Sequence, residues 1–203
     1  MDNQFLEFIK KVQSIAQIGL SFSTDPYAID NYEELKKISI KMLQDYTSLP
    51  MSECDLYKDF VYPTPQPAVR AMIIRDNQLL LVKEKDSGLW SLPGGWCDVN
   101  VSVAENTVKE VKEESGLDVV PEKIIAVQDR AKHNLPLYAY GICKIFVQCS
   151  KIGGTFVPNI ETTEYRYFAE NELPELAEEK NNEEQIRMCY EAYRAENWKT
   201  IFD

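Results

Sequence analysis

Apolar residues recur at three- and four-residue steps through residues 1–49, which is the period of an α-helix. One stripe consists of Phe5, Phe8, Ile9, Val12, Ala16 and Gly19, and the other of Leu35, Ile38, Met42 and Tyr46. Helix-start signals lie between them: Asp25 precedes Pro26, and Asp30 stands three residues before Glu33. The pattern predicts two amphipathic helices, which must pack on the rest of the chain or on a second copy of it.

The hydrophobic pattern changes at the segment "FVYPTPQPAV" (60–69), where three prolines occupy alternate positions. Such a segment is extended and semi-rigid. We therefore predict a helical N-terminal domain over residues 1–60 and a second domain over residues 61–203.

Short apolar runs typical of strands dominate the second domain. The runs at 68–74 and 78–84 flank "RDN", a hairpin signal. Further strand candidates are "KIIAVQD" (123–129), "LYAYGICKIFVQC" (137–149) and "YRYFA" (165–169), and residues 181–198 predict a closing helix with Asn182 and Gln185 as a capping pair. Strands and helices mix without strict alternation, which predicts an α+β domain with a mixed sheet.

A helix starting at Ser102 has an unusual concentration of acids. Ser102 and Glu105 match a capping box, and Gly116 is a natural helix stop. At about 100° per residue, one face carries three carboxylates, beside an apolar stripe; they belong to Glu110, Glu113 and Glu114. Because like charges at this spacing repel, we hypothesise that the glutamates bind Mg²⁺ or Mn²⁺, which prefer oxygen ligands. The alternative is a solvated acidic face.

The surrounding residues resemble the Nudix box. The matching residues are Gly95, Lys109-Glu110-Val111, Glu113-Glu114 and Gly116-Leu117, with "WSLPGG" (90–95) as the usual lead-in. The resemblance implies an α/β/α sandwich with a mixed sheet and a Mg²⁺- or Mn²⁺-dependent pyrophosphohydrolase.

Two positions depart from that pattern. Val101 stands where the family usually has the first glutamate of the box, and Lys109 stands where it has arginine. In the family these two residues commonly support each other and the metal-bearing glutamates. We hypothesise that Glu105, one turn before Lys109, becomes its ion-pair partner.

The resemblance extends over the whole chain, to a Nudix subgroup with a small helical N-terminal domain. The matching segments are "DPYAIDNYEEL", "SLPGGWCDV", "KH" (132–133), "IETTEYRYF" and "EEQI". That subgroup hydrolyses nucleoside diphosphates linked to another moiety, such as CDP-choline or ADP-ribose. We expect a homodimer in which residues 1–49 pair the subunits or cover a partner's site.

The expected site extends beyond the three glutamates, which are predicted to be both metal ligands and catalytic residues. Backbone groups of Gly94 and Gly95 are candidates for contact with the metal or phosphate, Gly94 as a further metal ligand, although the two glycines also suit a plain tight turn. Glu164, in a loop beside Glu161, is a candidate base. Candidate substrate contacts are Arg70, Trp96, Lys132 and His133; ordinary packing or surface roles are the alternatives.

Composition limits the other possibilities. The formal net charge of −11 argues against a duplex-binding surface and disfavours RNA-end processing. Five scattered cysteines without a CxxC pair, and one histidine, favour thiols in a reducing compartment over a zinc site. No apolar run reaches a membrane span and the N-terminal stretch carries charges within its apolar pattern, so we expect a cytoplasmic protein. A Nudix-fold nucleotide-binding module with little turnover, suggested by Val101, is the alternative function.

Overall fold

The computed structural model describes residues 3–47, 51–138 and 140–203. Its internal contacts divide the chain into two compact units, Met1–Pro65 with Leu137–Gly141, and Gln66–Pro136 with Ile142–Asp203. The domain boundary expected between residues 60 and 61 stays a prediction.

In the described residues of the first unit, the helices are α1 (Asn3–Phe22), α2 (Pro26–Tyr46) and the short α3 (Met51–Cys54). The two predicted amphipathic helices are confirmed. Asp25 caps α2 by accepting hydrogen bonds from the backbone nitrogens of Tyr27 and Ala28, and Pro26 is the first helical residue. Asp30 lies inside α2, so the second predicted start signal is wrong.

Side chains from α1 and α2 bury a small apolar cluster of Leu6, Ile9, Leu43 and Cys54. The Gln13 side chain joins the next segment, since it donates to the carbonyl of Cys54 and accepts from the nitrogen of Leu56. Several residues of the predicted stripes nevertheless face outward within one chain: Phe8 is 58% and Ile38 51% exposed. This helical unit therefore leaves an apolar surface uncovered.

A mixed sheet forms the second unit. Its strands are β1 (Gln66–Arg75), β2 (Gln78–Glu84), β3 (Trp90–Ser91), β4 (Leu117–Asp129), β5 (Ile142–Gly154), β6 (Thr162–Phe168) and β7 (Ile201–Phe202). The order is β3-β2-β1-β5-β4-β7, with β6 also paired to β2. β1 and β5 are parallel, whereas β4 and β5 are antiparallel. The predicted α+β class and mixed sheet are confirmed.

Helices cover both faces of this sheet. Alternate residues of β1 point to opposite sides: Ala71 and Ile73 pack in a cluster with Val111 of α4 (Val103–Ser115), whereas Met72 packs with Ile186 of α6 (Glu183–Arg194). A short helix, α5 (Arg130–His133), follows β4. The second unit is thus the α/β/α sandwich that the resemblance implied.

Strand limits differ from the sequence pattern in two places. The run 137–149 becomes a strand only from Ile142, since Leu137–Gly141 belongs to the first unit. β4 begins at Leu117 and continues through Pro121, which is compatible with a strand because the pairing with β5 shifts register there. The five cysteines form no disulfide. Among the described residues, no helix combines the length and apolar character needed to cross a membrane.

Candidate active site

Helix α4 has the limits that its sequence signals predict. The Ser102 hydroxyl accepts from the nitrogen of Glu105 at 3.2 Å, and the Glu105 carboxylate accepts from the nitrogen of Ser102 at 2.8 Å. This capping box stabilises the first turn. The helix ends at Ser115, and Gly116 follows with a φ of 68°. The acidic residues of the box therefore lie on one regular helix.

Glu114 is buried at the glycine turn before this helix. Its Oε2 accepts a hydrogen bond from the backbone nitrogen of Gly94 at 2.9 Å, and the residue is 7% exposed. Gly94 has a φ of 146°, and a Cβ there would lie 2.1 Å from the carbonyl oxygen of Val69. Only glycine fits this backbone position, so the "LPGG" sequence places a main-chain donor against the carboxylate.

Glu110 lies one turn earlier and contacts the next glycine. A Cβ on Gly95 would lie 2.5 Å from Glu110 Oε2. Glu110 is 8% exposed. The two glycines and the two buried carboxylates therefore meet at one place, and the second glycine leaves the space that the Glu110 carboxylate fills.

Glu113 lies farther out than the other two glutamates. Its side chain is 55% exposed, and its carboxylate is 3.3 Å from the ammonium of Lys109. Within the part of the chain that the structure describes, no three histidine, cysteine, aspartate or glutamate side chains are grouped closely enough to bind a metal ion. The structure thus brings Glu110 and Glu114 together with the glycine turn and leaves Glu113 at the rim.

Burial perturbs both inner carboxylates. It raises the pKa of Glu114 to about 7, a shift that Arg70, the Gly94 N–H and Lys180 oppose and the charge of Glu110 reinforces. Burial also raises the pKa of Glu110, against the lowering effect of Lys109. A bound cation would favour the ionised form of both groups. The two buried carboxylates are hard oxygen donors, the type of ligand that divalent cations prefer.

Arg70 lies beneath the glycine turn. Its Nη1 donates to the carbonyl oxygens of Leu92 at 3.1 Å and Gly94 at 2.6 Å, and the residue is buried. Its Nε is buried without a hydrogen-bond partner. Arg70 therefore stabilises the turn and lowers the pKa of Glu114 through its charge. A direct contact between Arg70 and a substrate anion stays a prediction.

The predicted partner of Lys109 is wrong. The Lys109 ammonium lies 3.0 Å from Asp98, 3.3 Å from Glu113 and 3.5 Å from Glu110. The Glu105 carboxylate instead accepts from the nitrogen of Ser102, because the capping box requires it there. The pKa of Lys109 is raised, first by its hydrogen bond with Asp98.

The loop before β6 and the first residue of that strand contact the carboxyl end of α4. Asn159 Nδ2 donates to the carbonyl of Glu113 at 2.7 Å, and the Thr162 hydroxyl donates to the carbonyl of Glu114 at 2.5 Å. Glu161 lies in this loop, and its charge contributes to the raised pKa of Glu110. Sequence reasoning missed Asn159 and Thr162, since their partners lie 46 and 48 residues away.

Glu164 is not in a loop, contrary to the prediction. It lies in β6 opposite Lys83, and its carboxylate is 2.6 Å from Arg166. The catalytic role predicted for Glu164 is untested by this geometry. The Glu164 carboxylate forms an ion pair with Arg166, a residue of the same strand and not of the glycine turn.

The remaining candidates lie at separate places. Trp96 follows the glycine turn and is 45% exposed. Lys132 and His133 lie in α5, where His133 Nε2 is 2.5 Å from Asp203 and the His133 carbonyl accepts from Asn182. Their predicted contact with phosphate stays a prediction.

Family models match both parts of the chain. The model Nudix_N, described as a UDP-X-like N-terminal oligomerisation domain, matches residues 3–56. The NUDIX domain model matches residues 64–189.

Individual proteins resemble the chain over most or all of its length. The Bacillus subtilis (strain 168) protein YjhB, provisionally named an ADP-ribose pyrophosphatase, is 43% identical over 205 residues, which cover 100% of this chain and 99% of the relative. The crystal structure of an ADP-ribose pyrophosphatase from Streptococcus suis 89-1591 is 48% identical, with a TM-score of 0.64, over 69% of this chain and 100% of that one. A UDP-X diphosphatase structure is 30% identical, with a TM-score of 0.65, over 98% of each chain.

Proposed function

The chain belongs to the Nudix hydrolase family, and on that premise we propose that it hydrolyses the diphosphate linkage of a nucleoside diphosphate joined to another moiety. ADP-ribose is the first candidate substrate, because two relatives with high identity carry the name ADP-ribose pyrophosphatase. CDP-choline, the other substrate that the sequence resemblance implied, is the second candidate.

The observation that carries this proposal is the burial of Glu110 and Glu114 against Gly95 and Gly94. We propose that these two carboxylates bind Mg²⁺ or Mn²⁺, with Glu113 and the Gly94 carbonyl as further ligands. When bound, the divalent ion supplies shielding of the phosphate charge and a lowered pKa of bound water.

The protein's own groups then orient this site. The guanidinium of Arg70 binds the carbonyl of Gly94 and fixes the turn that donates to Glu114. Glu161 and Glu164 are the candidate bases, and the Glu164 carboxylate is paired with Arg166. A general base must lie close to the reacting water.

The alternative, a nucleotide-binding module with little turnover, was based on Val101. The structure weakens that argument, because Lys109 has a carboxylate partner in Asp98 despite the missing glutamate. Both inner glutamates also remain buried at the turn. Hydrolysis is therefore the function that the geometry supports better.

A substrate panel tests the proposal. ADP-ribose, CDP-choline, nucleotide sugars and dinucleoside polyphosphates are incubated with the full chain and Mg²⁺ or Mn²⁺, and products are separated by anion-exchange chromatography. We expect metal-dependent release of two monophosphates from ADP-ribose. Binding without turnover of any compound would support the binding module instead.

We also propose that the chain is a homodimer joined through its helical unit. The match to an oligomerisation domain covers this unit. Phe8 and Ile15 are spaced by about two helical turns on α1 and are 58% and 45% exposed, and Ile38 of α2 is 51% exposed. Exposed apolar side chains at such spacing suit burial against a second copy.

A further inference from the structure

The ammonium of Lys109 lies among three carboxylates at the rim of the candidate active site. The shortest distance, 3.0 Å, is to Asp98 Oδ2, and the distances to Glu113 and Glu110 are 3.3 Å and 3.5 Å. Asp98 and Lys109 are 54% and 39% exposed in their side chains. An ion pair at such exposure contributes little to stability, but it holds the ammonium beside Asp98.

The backbone of Asp98 is fixed onto α4 by a buried amide. Asn106 is 0% exposed; its Oδ1 accepts from the nitrogen of Asp98 at 3.0 Å, and its Nδ2 donates to the carbonyl of Trp96 at 3.0 Å. A buried side chain that satisfies two main-chain groups gives a well-defined position to the segment it binds. The Asp98 carboxylate is thereby presented to Lys109 on the next turn of the same helix.

An ammonium close to Glu110 and Glu113 acts in two opposite ways on a metal site built from them. It orients the two carboxylates, but as a cation it also competes with a divalent ion for their oxygens. A third carboxylate, that of Asp98 at 3.0 Å, gives the ammonium a partner that is not a candidate ligand. The balance between orientation and competition therefore depends on Asp98.

We propose that Asp98 is a positioning residue of the metal site, which acts through Lys109 by drawing its ammonium away from the oxygens of Glu110 and Glu113. This inference rests on the proposed function of those glutamates as metal ligands. Asp98 thus holds the Lys109 ammonium in place, and Asn106 holds the backbone of Asp98 in place.

Isothermal titration calorimetry of the chelator-treated full chain with Mn²⁺ tests the proposal. Partners that orient metal ligands typically change affinity by about 10- to 100-fold, so we expect Asp98→Asn to weaken Mn²⁺ binding at least about tenfold. Asp98→Glu keeps the carboxylate and should restore most of the affinity. Asp118→Asn is the matched control, because Asp118 pairs with Lys112 of α4 at 2.8 Å and has a similar exposure of 48%.

A double-mutant cycle separates action through Lys109 from a general effect of charge. In a Lys109→Met background, Asp98→Asn should have no further effect on Mn²⁺ affinity. An equal loss with and without Lys109 would overturn the proposal, as would wild-type affinity in Asp98→Asn or an equal loss in Asp118→Asn. Wild-type protein that binds Mn²⁺ but turns over no substrate would contradict the proposed function alone. A wild-type chain that binds no Mn²⁺ would overturn both.

Discussion

Glu114 and Gly94 are joined by a hydrogen bond of 2.9 Å between a buried carboxylate oxygen and a backbone nitrogen, across 20 residues of sequence. The turn requires glycine at position 94 for two reasons. Its φ of 146° is unfavourable to other residues, and a Cβ would clash with the carbonyl oxygen of Val69. The glycine turn and the acidic helix thus form one structural feature, in which the main chain orients a carboxylate toward the site.

Replacing Glu114 with glutamine should separate activity from stability. Glutamine keeps an acceptor for the Gly94 N–H but removes a carboxylate whose pKa burial raises to about 7. Without metal, the free energy of unfolding should therefore stay the same or increase. Hydrolysis should fall by more than about 100-fold, as expected for loss of a metal ligand.

Thermal unfolding with and without Mn²⁺ measures both effects of this substitution. Wild-type protein should gain about 2.7 kcal/mol at a metal concentration 100 times the Kd, and the variant should gain much less at the same concentration. Equal stabilisation of the two proteins by Mn²⁺ would show that Glu114 is not a ligand.

Alanine at the two glycines should have contrasting effects. At Gly95 the new Cβ meets the carboxylate end of Glu110 at 2.5 Å, and that side chain can move. Gly95→Ala should therefore fold but lose roughly 100-fold in activity, since small misplacements of reacting groups have effects of that size. At Gly94 the Cβ meets the Val69 carbonyl at 2.1 Å in a backbone conformation unfavourable to alanine, so unfolding should become easier by more than about 2 kcal/mol.

Urea unfolding and steady-state kinetics of both variants check this contrast. Gly88→Ala is a suitable control for backbone strain, since Gly88 also has a positive φ but its Cβ would meet nothing within 4 Å. A Gly95→Ala enzyme with wild-type kinetics would show that the position of Glu110 does not matter.

The buried lysine of β5 should make stability depend on pH. Burial, with the charges of Arg70 and Arg130, lowers the pKa of Lys144 to about 6, although Glu179 opposes the shift. In the unfolded chain the pKa is about 10.4, so between these values the unfolded state binds the extra proton. The free energy of unfolding should therefore increase as pH rises from about 6, by at most about 1.4 kcal/mol per pH unit from this group.

Comparison with Lys144→Met isolates this contribution. The substitution also removes the hydrogen bonds from Nζ to Asn134 and to the carbonyl of Lys180, so the slope with pH is the informative quantity rather than the absolute stability. Urea unfolding between about pH 6.5 and about pH 8 stays below the ordinary pKa of thiols, about 8.5. Identical slopes in the two proteins would contradict a neutral Lys144 in the folded state.

Charge introduced on the exposed helical surface should separate the proposed dimer. Phe8→Glu combined with Ile15→Glu places two carboxylates where we expect a second copy to pack. Sedimentation equilibrium should give the mass of one chain for this variant and twice that mass for wild type. Ile152→Glu, at a 70% exposed isoleucine of the other unit, should remain dimeric. A double variant that keeps the wild-type mass would exclude this surface from the interface.

Local signals allowed the acidic helix to be predicted from sequence. Ser102 with Glu105 and the following Gly116 set its limits, because both features are decided within a few residues. The same capping box explains the wrong partner for Lys109: spacing alone favours Glu105, but its carboxylate binds the backbone of Ser102. Two local rules applied to one residue, and only the structure shows which one prevails.

Contacts between distant segments could not be predicted in this way. Asn181 accepts from the nitrogen of Leu92 across 89 residues, and Thr162 reaches the carbonyl of Glu114 across 48. Such polar residues look like ordinary loop positions until the sheet brings them together. For the helical unit, the periodicity places Phe8 and Ile38 on apolar stripes, and both are more than half exposed within one chain. The periodicity does not say whether a second chain buries them.

Hydrolysis of ADP-ribose as a function of Mn²⁺ concentration, for wild type and for the Glu110→Gln, Glu114→Gln double variant, tests the central claim most directly. Wild type should release AMP and ribose 5-phosphate with a saturable dependence on Mn²⁺. The double variant should remain folded and show no such dependence. Metal-dependent hydrolysis that persists in the double variant would contradict the assignment of these two buried glutamates to the metal site.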